Sequence, residues 1–156
     1  MTRKVGWWML TLALDPGGTS GYALLTDDGS VRACGNWKPE DIDVAMEHMI
    51  RAVNRSGHEL EIVIEQLAVG RQGPLATTLA YVTRTIDNIV ALYDLPVYRF
   101  PPGEWKTSSA GRLPLGVDFW DGQTLTPHQK DAIRLGRYRL QRRSKKLQSR
   151  ERWTDE

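Results

Sequence analysis

The 156-residue chain holds a single cysteine, Cys34, and only two phenylalanines. One thiol cannot close an intramolecular disulfide or build a cysteine-based zinc site, so the fold must rest on packing, and the usage fits a reducing compartment. No stretch is apolar for long enough to cross a bilayer. The nearest candidate, Val5 to Leu14, follows Arg3 and Lys4 in the manner of a secretory signal. It then runs into Asp15-Pro16-Gly17-Gly18 where a small-residue cleavage site would stand, and ten residues are too few for a span. We read it as a buried strand. There is no internal repeat, and the only biased segment is basic and C-terminal.

What is present suits one globular domain. With 40% apolar and 26% charged residues the composition is that of an ordinary folded protein, and the length matches a single unit. We expect a domain over residues 1–146 and a basic, polar tail over 147–156. The net charge of +2 hides an asymmetry, since Arg134 to Arg152 carries nine Arg or Lys against one acid. Such a block is either an electrostatic footprint for a phosphate backbone or a solvated helix end.

Patterning predicts strands at Trp8–Leu14, Gly21–Thr26 and Val31–Trp37, with Asp28-Gly29 turning between the last two. Pro39 opens a helix whose apolar positions Ile42, Met46, Met49, Ile50 and Val53 recur at helical spacing, and Ser56-Gly57 closes it. Leu60–Glu65 reads as a central strand buried on both faces, Leu75–Tyr93 as a second helix and Leu95–Phe100 as a fifth strand. Residues 101–125 are irregular, with a short helix expected around Glu104–Ser108. Thr126, Pro127 and Gln129 then form a capping box for a last helix reaching Arg143 or beyond. The expected fold is α/β, a mixed five-stranded sheet in the order βββαβαβα with helices on both faces.

Three acids stand out by position. Asp15 ends the first strand, Glu65 ends the fourth, and Asp131 lies early in the last helix. Ligands of open α/β sheets sit beyond strand ends, so carboxylates from two strands and a helix across them can converge there. Convergent hard oxygens suit magnesium, and a cluster holding two ions meets the needs of in-line phosphodiester hydrolysis. His128, three residues before Asp131, shares its helix face and can ligate metal or move a proton. Each also has a plain reading: Asp15 as a turn former, Asp131 as favoured by the helix dipole, His128 as a surface histidine. The loop Asp15–Gly21 could cradle phosphate, but it is neither GxGxxG nor a Walker motif and leads into a strand. Lys106 can steady charge on a phosphoryl group or be an exposed lysine. Trp105 and Trp120 can stack on unpaired bases or fasten the loop to the core.

The constellation resembles the RuvC family of Holliday-junction resolvases, within the RNase H-like fold. Leu12-Ala13-Leu14-Asp15-Pro16-Gly17 with Thr19 and Gly21-Tyr22 is similar to that family's first strand and turn, and Val63-Ile64-Glu65-Gln66 to its second acidic motif. Val97-Tyr98 with Pro102 and Lys106 resembles the basic segment, and His128-Gln129-Lys130-Asp131-Ala132 the terminal helix. The likeness spans residues 9 to about 140. It implies a homodimeric endonuclease using two Mg²⁺ ions, with Mn²⁺ as a substitute, on Asp15, Glu65, His128 and Asp131, with Lys106 near the scissile phosphate. Branched DNA, four-way junctions above all, would be the partner, held by Lys106, Arg112, Arg134, Arg137, Arg142 and Arg143. No membrane or nucleotide cofactor is implied, and the place of action would be the cytoplasm, on nucleoid or phage DNA. Leu67-Ala68-Val69 replaces an aromatic residue that many members use to engage the junction, and the short segment after Lys106 resembles the phage-encoded branch. The competing readings are a sugar-kinase or actin-like ATPase, a related RNA-processing nuclease, and a non-catalytic binder of branched nucleic acid.

Overall fold

The computed structural model describes residues 9–66, 74–106, 119–120 and 123–154, with side chains of the last helix as far as Lys146. Strands β1 (Met9–Asp15), β2 (Ser20–Leu25) and β3 (Val31–Trp37) form an antiparallel meander, followed by a 3₁₀ turn at Pro39–Asp41 and helix α1 (Ile42–Arg55). Strand β4 (Glu59–Glu65), helix α2 (Pro74–Tyr93) and strand β5 (Val97–Phe100) come next. Helix α3 (Pro102–Trp105), a two-stranded ribbon of β6 (Phe119–Trp120) and β7 (Gln123–Thr124), and helix α4 (Pro127–Thr154) complete the order.

The main sheet runs β3-β2-β1-β4-β5. β1 is antiparallel to β2 and parallel to β4, and β4 is parallel to β5. Crossover helices make the parallel pairings possible, as expected for strands buried on both faces. Alternation sorts the faces. Leu10, Leu12, Leu14, Ile62 and Ile64 pack against α1 and α2, whose buried stripe includes Ile42, Met46, Ile50, Val82 and Ile86. Ala13, Val63, Ala23 and Leu25 face the other way, toward Ala132, Ile133 and Leu135 of α4. Because the side-chain period of a strand is two, Asp15 and Glu65 necessarily share the α4 face with Ala13 and Val63.

The expected mixed five-stranded sheet with helices on both faces is the fold observed. Its hairpin between β2 and β3 turns at Gly29, whose φ of +84° only glycine adopts readily. The fifth strand is shorter than its apolar pattern: Asp94 takes a φ of 51° and the Leu95 amide donates to the Val90 carbonyl, so Leu95 closes α2 and does not open β5. The short helix lies at Pro102–Trp105, earlier than expected, since Pro102 at its first turn is preset for helix. The β6–β7 ribbon falls in what patterning reads as irregular chain. Helix α4 continues to Thr154, through most of the stretch read as a tail. Among the described residues no helix is long and apolar enough to cross a membrane.

Candidate active site

The C-terminal ends of β1 and β4 lie side by side, since Leu14 pairs with Ile64 and the next residues are Asp15 and Glu65. Both carboxylates are buried, each 7% exposed. Helix α4 passes over them through a close approach to β2. A Cβ on Gly21 would collide with the backbone carbonyl and Cβ of His128, so glycine there is what lets the first turn of α4 settle on the sheet. A second close approach occurs at Gly136, where a Cβ would overlap Leu25 and sit 3.2 Å from the Ala13 Cβ. The capping box forms as expected: the Thr126 amide donates to Gln129 Oε1 at 2.7 Å, and the Gln129 amide to Thr126 Oγ1 at 3.2 Å. With its first turn fixed, α4 presents His128 and Asp131 to the strand ends.

His128 Nδ1 lies 3.1 Å from Asp15 Oδ2. An ionised carboxylate can only accept, so toward one the ring makes this contact with a proton on Nδ1. Lys106, at the end of α3, places Nζ 3.9 Å from Glu65 Oε1 and 5.3 Å from the Trp105 ring centre. Arg134 Nη1 is 3.8 Å from Asp131 Oδ1. Burial, the hydrogen bond to Asp15 and the Asp15 charge push the Glu65 carboxyl up to about 8, against the pull of Lys106. Asp131 is likewise raised, by burial and then by Asp15, with Lys106, Arg134 and His128 opposing. Two carboxyls held toward the protonated form by burial and by the Asp15 charge are a site where a cation would replace a proton.

That donor set, hard oxygens with one imidazole, fits a divalent ion of the magnesium class in its chemistry. Among the described residues, no group of three or more His, Cys, Asp or Glu side chains is drawn together closely enough to enclose an ion as it stands. The carboxylates are thus adjacent and electrostatically linked without being closed into a cage.

The expected DNA-holding cations disperse. Lys106 and Arg134 stand at the carboxylates. Arg137 donates through Nε to the Gly29 carbonyl at 3.2 Å. Arg142 Nη1 donates to Glu104 Oε1 and to the Tyr138 hydroxyl, both at 3.1 Å. Arg143 is tied inward, to Glu61 at 3.1 Å and Asp27 at 2.6 Å. Arg112 lies outside the described residues, as do the side chain of Trp120 and the segment Leu67-Ala68-Val69. Trp105 is wholly buried, so it fastens α3 to the core and offers no face to a base.

Sequence reasoning overlooks Glu61. It is 2% exposed on the α4 face of β4, accepts a hydrogen bond from Thr11 Oγ1 at 2.9 Å, and pairs with Arg139 at 3.2 Å as well as with Arg143. A signal for it exists: a strand buried on both faces has an acid at position 61, two before Val63, and Arg139 and Arg143 are spaced four apart on the helix that covers it.

No protein-family profile and no curated protein matches the chain. Among solved structures it is similar to Thermus thermophilus RuvC in complex with a Holliday junction substrate, at a TM-score of 0.65 and 16% identity over 87% of this chain and 96% of that one. A second Thermus thermophilus RuvC structure gives a TM-score of 0.63 at the same identity and coverage. The likeness establishes an RNase H-like fold of RuvC type.

Proposed function

We propose that this chain, built on a RuvC-like fold, is a divalent-metal-dependent, structure-selective endonuclease that resolves four-way DNA junctions and cuts other branched DNA. The observation that carries the reading is the proximity of Asp15, Glu65, Asp131 and His128 at one end of the sheet, with the acidity of Glu65 and Asp131 weakened by burial and by Asp15 against the pull of Lys106, Arg134 and His128. The junction-bound Thermus neighbour supports branched DNA as the substrate class. Asp15, Glu65, Asp131 and His128 would hold the metal, two Mg²⁺ ions per site with Mn²⁺ as a substitute. When bound, such ions supply Lewis acidity and a water acidic enough to attack phosphorus in line, leaving 5′-phosphate and 3′-hydroxyl ends.

The protein's own groups do the rest. The Asp15 carboxylate orients the His128 ring through Nδ1, which leaves Nε2 to ligate or to take a proton. Lys106 is half-exposed beside Glu65, where its ammonium would meet a phosphate entering the site and offset its charge. The burial of both strand-end acids keeps the dielectric low around the reacting bond, which strengthens each of these interactions. The chain would act as a homodimer, one site per strand, in the manner of the compact phage-type branch that it resembles.

The test is cleavage of an end-labelled four-way junction beside linear duplex, a flap, structured RNA and ATP, in Mg²⁺ or EDTA, with Asp15→Asn as the control. Paired, metal-dependent nicks at the junction that vanish in Asp15→Asn are the expected result. Junction binding with no cleavage in any metal would replace the enzyme by a binder. ATP turnover or RNA cutting alone would move the site to another reaction.

A further inference from the structure

We propose that the groove between β5 and the second half of α4 is a subsite for the sugar–phosphate backbone of a duplex arm leaving the candidate active site; it rests on, and deepens, the nuclease reading. The groove is a cavity of about 640 Å³ whose walls include Tyr98, Phe100, Tyr138, Arg142, Lys145 and Lys146. Tyr98 and Phe100 pair in register with Val63 and Glu65, so they stand on the α4 face one strand away from the catalytic end. Glu104, which holds Arg142, is two residues before Lys106, which faces Glu65. Helix α3 thus contributes a residue to each place, Glu104 to the arginine of the groove and Lys106 to the strand-end acid.

Its chemistry is that of a polyanion track. Arg142 is 53% exposed at its side chain, yet Glu104 and the Tyr138 hydroxyl fix its direction. Lys145 and Lys146 are exposed, and among the described residues no carboxylate pairs with either. Positions 142, 145 and 146 share one helix face by their spacing of three and four. They cover about 6 Å of axis at 1.5 Å per residue, close to two phosphate repeats of about 3.4 Å along one strand of a duplex.

The aromatic walls argue against base stacking. The Arg139 guanidinium lies 3.5 Å from the Tyr98 ring centre and covers that face, while Phe100 meets Tyr138 edge-on with centres 5.0 Å apart. Rings already covered in this way make an apolar wall for deoxyribose, not free plates for unpaired bases, so the subsite reads backbone and not sequence.

The experiment is equilibrium binding of the full chain to a labelled four-way junction, a linear duplex and a single strand of equal length, in EDTA, across about 50–200 mM salt. Lys145→Ala/Lys146→Ala and Arg142→Gln are compared with wild type, the exposed lysine pair serving as the variant that leaves the fold undisturbed. The slope of log affinity against log salt should flatten by roughly 0.9 per lost contact, nearly 2 for the lysine pair, with about tenfold weaker binding at low salt on both duplex-containing ligands. A wild-type slope and affinity in both variants would overturn the subsite, as would a loss confined to the single strand. Cleavage by wild type with unchanged variant slopes defeats the groove alone. Binding without cleavage, with flattened slopes, defeats the nuclease reading alone, and no DNA binding by wild type defeats both.

Discussion

Two glutamates on one strand, four residues apart and facing the same helix, have opposite surroundings. Glu61 and Glu65 are both buried on the α4 side of β4. Glu61 receives a hydroxyl and two guanidinium groups, from Thr11, Arg139 and Arg143. Glu65 has Asp15 and Asp131 as neighbours and, among the described residues, a single ammonium at 3.9 Å. A buried carboxylate that the fold satisfies is a pin, holding the far half of α4 to the sheet. One that the fold leaves among other acids is crowded by like charge, and on that crowding rests the proposal that the C-terminal strand ends take a cation. Four residues of strand, about 13 Å, separate the two conditions.

The comparison breaks most visibly in activity. Glu65→Gln and Asp15→Asn should each lower cleavage of a four-way junction by on the order of a thousandfold or more, roughly 4 kcal/mol of barrier, since each removes a charge from the site that must hold metal. Both variants should stay folded, because a neutral amide relieves crowding among the acids. Single-turnover cleavage beside a denaturation curve checks both halves. Retained cleavage in either would show that the strand-end acids are not the catalytic set.

The opposite outcome is expected four residues earlier. Glu61→Gln leaves Arg139 and Arg143 short of their buried counter-charge, and breaking such a pair costs about 3–5 kcal/mol. Urea unfolding reads that loss, while cleavage measured well below the melting transition should hold within a few fold of wild type. If stability barely moves, the Glu61 network does not pin α4 to the sheet.

The pH dependence sharpens the contrast without any substrate. Burial and the neighbouring Asp15 push the Glu65 carboxyl from its ordinary value of 4.5 up to about 8 in the folded chain. Between those values the folded state holds the proton that the unfolded state has released, so stability in EDTA should fall as pH rises through that window and level off above it. Glu65→Gln should flatten the profile, and Mg²⁺ added to wild type should raise the melting temperature more at pH 8 than at pH 5. Parallel profiles for wild type and Glu65→Gln would mean that the carboxyl is not held neutral.

Much of the fold, and half of the contrast between the two glutamates, is legible in the amino-acid sequence. Apolar alternation in β1 and β4 and the capping box at Thr126 specify sheet, helix and the strand-end positions of Asp15 and Glu65, because each is a local pattern with one geometric outcome. Glu61 escapes such a reading because its partners are contributed by a helix 78 and 82 residues later. The basic block is legible only in part for a related reason: charge counted along the chain does not say which arginines turn inward, and Arg143 does. The late start of β5 within its apolar run follows from a backbone conformation at Asp94 that composition does not announce.

Seating of α4 provides a smaller effect. Gly21→Ala places a methyl against the His128 backbone, which cannot move without lifting the first helical turn. Overpacking of this kind costs about 1–3 kcal/mol. Because the turn carries His128 and Asp131, the loss of cleavage should exceed the loss in stability, whereas Gly136→Ala, which meets the flexible Leu25 side chain, should show stability loss alone. Equal effects of the two would mean that α4 shifts as a rigid rod and that its two ends are not held separately.

The smallest effect tests whether the pin and the cap are independent supports of that helix. Gln129→Ala removes the acceptor for the Thr126 amide, a change worth about 1 kcal/mol. If Glu61 and the cap hold opposite ends of α4 without sharing a partner, the double variant Glu61→Gln/Gln129→Ala should lose the sum of the two single losses to within about 0.5 kcal/mol. Urea unfolding of the four chains in the cycle decides it. A coupling beyond that limit would show that the first turn of α4 depends on the arginines farther along the helix, and that the candidate active site is positioned through Glu61 after all.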